Sequence, residues 1–338
     1  MDGPNRGRRH DAPRVVTIAL VTLVVTAVAA PLVVRALRRA GRLDQPNARS
    51  SHTAPTPRGG GLAVLAGLAV VAAVFGLGVG SWSAATWWAL AGCSVLACVG
   101  FIDDTRGLAA LPRLVAQVVV GVVCGFALGG VAGAVIGLVV VPAAVNMVNF
   151  MDGINGICAG HAAVWGAAAL LASQHGGGTT LGILGAVSLG GGLGFLPYNV
   201  PQARLFLGDV GSYLIGGLAG LGILAALGAT HTTGADIGLV LGMVCAPYLL
   251  FALDTATTIV RRARAGEPLL DAHRSHIYQR LTNEGGMPHW LVSLAVSAAS
   301  LLVTLAALRG WVMGLTAAMI VAVLYLNSPR MTCARTAA

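Results

Sequence analysis

Apolar runs of roughly 20 residues follow one another along almost the whole chain, and they restrict its fold more than any other feature of the sequence. A helix of that length crosses the hydrocarbon core of a bilayer, and its backbone N–H and C=O groups are hydrogen-bonded within the segment. Of the 338 residues, 56% are hydrophobic and only 10% are charged, which excludes an ordinary soluble domain. The sequence therefore predicts an all-α, polytopic integral membrane protein.

The apolar runs predict about eleven membrane-spanning helices. The glycine pair Gly129–Gly130 divides one long apolar stretch into two predicted spans. We expect a basic N-terminal tail at residues 1–14, a membrane domain at 15–326 and a C-terminal tail at 327–338. The predicted spans are 15–34, 62–80, 84–102, 112–129, 131–150, 157–174, 180–197, 211–229, 236–259, 290–308 and 311–326.

The distribution of positive charge predicts which ends of the spans face the cytoplasm. The net charge of +9 is carried by arginine without any lysine, and nucleic acid is one conceivable partner for so basic a chain. If the N-terminus lies outside, 16 of the 21 basic residues fall in inner loops and the C-terminal tail. Positive residues are retained in the cytoplasm, so this orientation is favoured, although the basic N-terminal tail opposes it. The charge thus reflects topology, and no nucleic-acid partner is expected.

One apolar run ends in a polar stretch at residues 146–160, N-M-V-N-F-M-D-G-I-N-G-I-C-A-G. Asn146 and Asn149 are three residues apart, so they share a helix face, and Asp152 follows one turn later. Amides and a carboxylate are costly to desolvate at the edge of a bilayer, and Gly153 lets the backbone approach a ligand. These features favour a functional site. The alternative is that the amides hydrogen-bond to neighbouring helices.

Two further acidic positions, Asp103–Asp104 and Asp209, lie where an apolar run meets a loop on the same predicted face. Adjacent carboxylates repel, which raises one pKa and makes Asp103 and Asp104 candidates for a metal-linked site or a general base. A solvated helix end paired with Arg106 is the alternative. Asp209 begins a span, where it is either a capping carboxylate or, together with amide and phosphate oxygens, a ligand of Mg²⁺. The alternation of spans predicts that these loops form one site.

Two basic loops lie on the same predicted face. The first ends in P-R-G-G-G, and its His52 and Arg58 are candidates to face an anionic ligand, although arginines there also satisfy the topology rule. The last contains H-R-S-H, from His273 to His276. Its guanidinium and imidazoles suit phosphate oxygens, and zinc binding by the two histidines is the alternative.

Asp254 lies inside an apolar run, where an acid is a functional candidate. We expect it to pair with Arg261 or Arg262 two turns later and to support the site. In a competing interpretation, the chain is a membrane transporter of an anionic lipid or nucleotide sugar with Asp103, Asp152 and Asp254 as coupling acids. That interpretation predicts acids near the midplane and an internal repeat, whereas most of the acids lie at one face.

Five motifs occur in order along the chain: D-Q-P-N-A-R-S-S-H-T-A-P-T-P-R-G-G-G, D-D, N-M-V-N-F-M-D-G-I-N-G, F-L-G-D-V-G-S and H-R-S-H. Together they resemble the polyprenyl-phosphate N-acetylhexosamine-1-phosphate transferase family over nearly the whole chain. The resemblance implies transfer of an N-acetylhexosamine 1-phosphate from a UDP-sugar to polyprenyl phosphate, with release of UMP. It also implies Mg²⁺, or Mn²⁺ in its place, and a site on the cytoplasmic face of the plasma membrane, where cell-envelope glycan synthesis begins.

The resemblance also assigns roles to residues at matching positions. Asp103 and Asp104 look like the acid pair near the acceptor phosphate, and Asp152 joins them as a predicted catalytic acid. Asn149 and Asp209 look like the Mg²⁺ ligands. The predicted substrate contacts are Phe206, stacked on uracil, Gly153 and Asn155, lining the nucleotide pocket, and Asn146, His273, Arg274 and His276, at the pyrophosphate and sugar.

Two departures from the family pattern bear on the sugar. Asn155 stands where many bacterial members have aspartate, and H-R-S-H lacks the triple-histidine block of the phospho-N-acetylmuramoyl-pentapeptide transferase. The chain therefore looks closer to enzymes that transfer GlcNAc or a related sugar, with the pentapeptide enzyme as the alternative. The implied partners are a UDP-N-acetylhexosamine, undecaprenyl or decaprenyl phosphate and the bilayer, and a homodimer is one option for assembly.

Overall fold

The computed structural model describes residues 5–46, 54–79, 82–268 and 274–336. The predicted all-α class is confirmed, because the apolar runs form helices that satisfy their own backbone hydrogen bonds. The helices are α1 (Asn5–Arg39), α2 (Gly61–Val71, continued by a π-helical stretch, Ala72–Val79), α3 (Ala84–Arg106), α4 (Ala110–Met151), α5 (Ile157–Ala172), α6 (Gly178–Asn199), α7 (Gly208–Thr233), α8 (Ile237–Cys245), α9 (Leu249–Arg264), α10 (Ile277–Asn283), α11 (His289–Ala307) and α12 (Trp311–Thr336).

Nine helices among the described residues are long and apolar enough to cross a membrane, two fewer than the predicted spans. The difference arises because two of them, Ala110–Met151 and Ile157–Asn199, each contain two predicted spans. A straight helix of 42 residues would measure about 63 Å, twice the thickness of a bilayer core. The number of membrane crossings therefore stays a prediction, while the apolar segments lie where the sequence places them.

Helix α4 folds back on itself at Gly129 and Gly130. The backbone there is not helical, with φ values of −153° and +60°. The two halves then pack so closely that a Cβ atom at Gly121 would lie 2.2 Å from the carbonyl oxygen of Gly137. Glycine permits this approach of two backbones. The glycine pair thus turns the chain at the predicted division between two spans.

Helix α7 is the centre of the bundle, since 89% of its apolar stretch is buried. It packs mainly against α3 and α4. A Cβ atom at Gly61 would lie 2.2 Å from the Cα of Gly211, and one at Gly100 would lie 2.2 Å from the carbonyl oxygen of Asp209. The first turn of α7 therefore touches both the start of α2 and the end of α3.

A small β-structure joins the loops before α2 and α7. Strands β1 (Leu43–Asp44) and β2 (Thr56–Pro57) pair antiparallel. Directly after β2, Arg58 forms a parallel bridge with Phe206. The Phe206 N–H donates to the carbonyl oxygen of Pro57 at 2.9 Å, and the Gly60 N–H donates to that of Phe206 at 2.8 Å. This pairing, which the sequence did not predict, holds Arg58 beside the start of α7.

Candidate active site

Asp209, in the first turn of α7, is the centre of a polar cluster. Its Oδ1 atom accepts a hydrogen bond from Nδ2 of Asn149 at 2.8 Å and lies 3.1 Å from Nη2 of Arg58. The Asn149 amide also donates to the hydroxyl of Ser212 at 3.1 Å. The side chain of Asp209 keeps 15% of its surface exposed, so a ligand can reach it. The structure thus brings together Asn149 and Asp209, the two predicted metal ligands.

Asp104 caps the start of α7 from the end of α3. Its two carboxylate oxygens each accept a backbone N–H group at 3.0 Å, from Asp209 and from Val210. Nε of Arg58 lies 2.9 Å from the same carboxylate. The alternative in which Asp209 is the capping carboxylate is therefore wrong, because Asp104 accepts two of the free N–H groups of that helix end.

Asp103 has a separate set of partners. Its carboxylate accepts from Nη1 of Arg113 at 2.9 Å, the Leu108 N–H at 2.8 Å and the Tyr213 hydroxyl at 3.3 Å. Successive residues on a helix point about 100° apart, which directs the two neighbouring acids to different sides of α3. The alternative pairing with Arg106 is contradicted, since Arg113 is the basic partner of Asp103. A shared role of Asp103 and Asp104 at the acceptor phosphate stays a prediction.

Asp152 follows the last residue of α4 and faces the same cluster. Burial raises the pKa of this carboxyl to about 7; Arg58 opposes that effect, whereas the negative charges of Asp209 and Asp104 add to it. Burial by itself lowers the pKa of Arg58, but Asp209, Asp104 and Asp152 outweigh this and raise it. The cluster therefore contains a firmly charged arginine and, in Asp152, a carboxyl that titrates near neutral pH.

Asn146 lies one turn before Asn149 and is held by its own hairpin. Its Nδ2 atom donates to Oε1 of Gln117 at 2.6 Å and to the carbonyl oxygen of Pro142 at 2.8 Å. The alternative considered from the sequence, in which the amides hydrogen-bond within the helix bundle, therefore applies to Asn146. Its predicted contact with the pyrophosphate or sugar stays a prediction.

The predicted nucleotide contacts are Phe206, Gly153 and Asn155, which are close in sequence to Asp209 or Asp152. Phe206 is half-buried beside Arg58. Asn155 donates from Nδ2 to the carbonyl oxygen of Pro201 at 3.3 Å. A Cβ atom at Gly153 would lie 2.2 Å from the hydroxyl of Tyr278, so glycine is required there for packing. Uracil stacking and a nucleotide pocket stay predictions.

The H-R-S-H motif of the last basic loop is described only from Arg274 onward. His273 and, in the first loop, His52 lie outside the described residues. Arg274 is exposed, whereas His276 is buried and has its Nδ1 atom 2.9 Å from Oδ1 of Asp254. The prediction that Asp254 pairs with an arginine of its own helix is therefore wrong. Those arginines turn to the following loop instead: Arg262 pairs with Glu267, and Arg261 donates to the carbonyl oxygen of Ser275.

Comparison of the sequence with known proteins assigns the chain to a family. A model of glycosyl transferase family 4 matches residues 86–229. A decaprenyl-phosphate N-acetylglucosaminephosphotransferase of Mycolicibacterium smegmatis is 30% identical over 309 residues, which cover 80% of this chain and 74% of the relative. The chain belongs to glycosyl transferase family 4. The family resemblance predicted from the five motifs is thereby confirmed.

Two other relatives are less similar in sequence. A probable undecaprenyl-phosphate N-acetylglucosaminyl 1-phosphate transferase of Bacillus subtilis is 27% identical over 287 residues, covering 79% of this chain and 77% of the relative. A phospho-N-acetylmuramoyl-pentapeptide-transferase of Desulfitobacterium hafniense is 25% identical over 333 residues, covering 86% and 95%. Both kinds of enzyme considered from the sequence are thus represented among its relatives.

Arg58 is the residue of this family 4 site whose role the sequence missed. The sequence marked it only as a candidate to face an anionic ligand, whereas the structure shows it bound to the acids of the chain itself. It also lies outside residues 86–229. The available signal was one arginine directly before three glycines at the start of a span, on the face that carries the acids. That signal does not predict which acids Arg58 contacts, because Asp104 and Asp209 lie on other helices.

The donor set of the cluster fits a magnesium ion. Mg²⁺ takes oxygen ligands, needs few of them from the protein and retains water. Asp209 supplies a partly exposed carboxylate, and Asn149 supplies an amide whose oxygen faces the same point after a half-turn of the group. No cluster of three or more His, Cys, Asp or Glu suited to a metal occurs among the described residues.

Proposed function

We propose that this family 4 chain transfers N-acetylglucosamine 1-phosphate, or the 1-phosphate of a close N-acetylhexosamine relative, from a UDP-sugar to polyprenyl phosphate. The observation that carries the proposal is the cluster in which Arg58 contacts both Asp104 and Asp209 at the ends of apolar helices. Such a position serves a water-soluble diphosphate and a lipid-borne phosphate together. The relatives named for decaprenyl or undecaprenyl phosphate and N-acetylglucosamine support the same substrates.

In the proposed reaction, an oxygen of the lipid phosphate bonds to the β-phosphorus of the UDP-sugar. The bond between that phosphorus and the bridging oxygen breaks, and the oxygen leaves with UMP, so the lipid ends as a sugar diphosphate. Negative charge grows on the leaving UMP. Mg²⁺ held by Asp209 and Asn149 would offset that charge when bound.

The remaining roles follow from hydrogen bonds of the chain. Asp104 uses its oxygens on the α7 backbone and on Arg58, so it holds the guanidinium in place and is not itself a base. Arg58 is 45% exposed and can present its remaining N–H groups to a phosphate. Asp152, whose pKa is about 7, is the acid able to accept a proton from the acceptor phosphate. Asp103 anchors α3 to α4 and α7.

Apolar side chains beside the acids support a lipid acceptor. Phe101 and Ile102 are each 39% exposed immediately before Asp103, and Phe150 is 44% exposed next to Asn149. Large exposed apolar groups at a helix end mark a surface that lies in lipid. A polyprenyl chain can therefore keep its tail in the bilayer while its phosphate reaches the cluster.

The nucleotide is proposed to bind on the water-facing side of the same cluster. Phe206, Gly153 and Asn155 would contact the uridine, and Arg274 would contact the diphosphate together with His276. The arginine distribution supports a cytoplasmic position for this face. The plasma membrane is the proposed location. A cytosolic UDP-sugar then has direct access.

The test uses the purified full chain in lipid nanodiscs. Labelled UDP-GlcNAc, decaprenyl phosphate and Mg²⁺ are expected to give UMP and a labelled lipid, with UMP release that requires the lipid. A parallel reaction with UDP-MurNAc-pentapeptide distinguishes the second enzyme. Nucleotide-sugar uptake into proteoliposomes without UMP or lipid product would contradict the proposal in favour of transport.

A further inference from the structure

Asp254 is a fully buried carboxylate inside an apolar candidate span. A charge in that position is costly unless it is hydrogen-bonded. Residues from three separate parts of the chain surround it. It accepts hydrogen bonds from Nδ1 of His276 at 2.9 Å, the Ile277 N–H at 2.9 Å, the Tyr278 N–H at 3.1 Å, the Tyr325 hydroxyl at 2.7 Å and the Thr258 hydroxyl at 3.2 Å.

These hydrogen bonds fix the start of α10 to two membrane helices. Asp254 belongs to α9 and Tyr325 to α12, whereas His276 and the two backbone donors belong to the last basic loop and the first turn of α10. The basic loop therefore ends at a rigid point inside the bundle. Arg274, two residues earlier, is placed by the same attachment.

Tyr278 connects the start of α10 to the candidate active site. Its side chain is fully buried, and its hydroxyl donates to the carbonyl oxygen of Phe150 at 3.0 Å. That hydroxyl also fills the space beside Gly153, where a Cβ atom would approach it to 2.2 Å. Phe150 directly follows Asn149, and Gly153 directly follows Asp152. The position of Tyr278 thus affects the segment that carries both polar groups.

The carboxylate also fixes the orientation of the His276 ring, because Nδ1 lies 2.9 Å from Oδ1 of Asp254. The same side chain accepts the N–H group of Gln279 as the N-cap of α10. The ring is stacked on that of Phe150, with centroids 6.5 Å apart. His276 is therefore oriented toward the same segment as Tyr278.

We propose that Asp254, supported by Tyr325, is a positioning residue for phosphate transfer: it orients His276 and, through Tyr278, the segment between Asn149 and Asp152. This inference rests on the proposed function, and its positioning residues, Asp254, His276, Tyr278 and Tyr325, lie outside the region 86–229 that the family model matches. Asp254 contacts no substrate in this scheme.

The test is a double-mutant cycle on UMP release. Asp254→Asn replaces two acceptor oxygens by one oxygen and one N–H donor, so we expect kcat to fall about tenfold or more with a smaller change in KM for the lipid. In a His276→Gln chain the same substitution should cost less, because the imidazole that Asp254 orients is already lost. Equal costs in both backgrounds, or wild-type kcat in Asp254→Asn, would overturn the proposal.

A second variant covers the case in which Asp254→Asn does not fold. Tyr325→Phe keeps the ring and removes only the hydroxyl donor, so it should lower kcat severalfold while its gel-filtration profile stays that of the wild type; an unchanged kcat overturns the proposal. Glu284→Gln is the matched control. Glu284 belongs to an exposed ion pair with Arg280, and its loss should leave kcat unchanged.

Failure of the proposed function can be separated from failure of this inference. A wild-type chain that releases no UMP contradicts the proposed function. The attachment of α10 to Asp254 can then still be tested by amide hydrogen exchange. The Ile277 and Tyr278 amides should exchange faster in Asp254→Asn than in the wild type. Unchanged exchange rates of both amides would show that Asp254 does not hold the start of α10 in place.

Discussion

Nδ2 of Asn149 lies 2.8 Å from Oδ1 of Asp209, although 60 residues of chain separate them. One residue ends a membrane hairpin and the other begins the central helix, so their contact is made by helix packing. It defines the point at which a divalent cation and two phosphates are proposed to meet.

Asp209→Asn should reduce turnover by about 100-fold or more, because an amide replaces the carboxylate proposed to hold Mg²⁺. UMP release measures turnover, and Mn²⁺ binding followed by electron paramagnetic resonance measures metal affinity. Asp236→Asn is the matched control: Asp236 caps α8, accepting the Leu239 N–H at 3.1 Å, and contacts none of the cluster. Full activity in Asp209→Asn would remove the metal assignment.

Arg58→Gln should increase the affinity of the substrate-free protein for Mn²⁺, by about tenfold. The guanidinium lies 3.1 Å from the carboxylate of Asp209 and repels or displaces a cation there. The variant should also have a higher KM for the UDP-sugar, since one phosphate donor is lost. If Mn²⁺ binds more weakly to Arg58→Gln than to the wild type, the guanidinium does not compete with the metal.

The metal affinity should depend on pH through Asp152. With a pKa of about 7, this carboxyl is neutral below that pH and negative above it, so Mn²⁺ should bind more tightly as the pH rises through the pKa. Asp152→Asn has no charge to gain and should flatten the curve. Titrations one unit below and one unit above the pKa test this, and an equal pH dependence in both proteins would exclude Asp152 as its source.

Phe206→Ala should raise KM for the UDP-sugar about tenfold, since stacking of a base on an aromatic ring contributes about 1–3 kcal/mol. The expected change in kcat is smaller, because the ring is proposed to contact uracil and not the transferred phosphate. Phe206→Tyr retains the ring and serves as the control. Initial-rate kinetics over a range of UDP-sugar concentrations decide the matter, and unchanged KM and kcat in Phe206→Ala would contradict the stacking role.

Gly100→Ala should destabilise the fold by about 1–3 kcal/mol, because the added Cβ would lie 2.2 Å from the carbonyl oxygen of Asp209 and force α3 away from α7. Alanine is otherwise favourable in a helix, so intrinsic propensity opposes this effect. Thermal unfolding in detergent measures the loss. Gly129→Ala is the control, with no atom within 4 Å of its Cβ position. Equal unfolding temperatures for the two variants would show that the α3–α7 contact adapts.

The sequence predicted the parts of this fold that depend on local patterns. Apolar length predicted the helices, and Gly129–Gly130 predicted the turn of α4, since glycine adopts the φ of +60° found at Gly130 without strain. The common location of Asn149 and Asp209 followed from counting spans. Each of these inferences needs only the sequence of one segment, or the rule that successive spans place alternate loops on the same membrane face.

The partners of the buried acids were not predictable in this way. Asp104 caps a helix 105 residues later, and Asp254 binds Tyr325 on the last helix instead of an arginine two turns away. Hydrogen bonds between distant helices leave no periodic signal in a single sequence. The pairing of Arg58 with Phe206 was missed for the same reason, because bridges this short lack the alternation that marks a strand.

The hydroxyl of Tyr325 reaches Asp254 from α12, the last helix of the bundle. A growing polypeptide inserts its helices from the N-terminus onward. The acids of α3, α4 and α7 are therefore in the membrane well before the tyrosine that completes the Asp254 network has been translated. A ribosome-bound intermediate lacking α12 should be inactive, so catalysis begins only once synthesis has passed that residue.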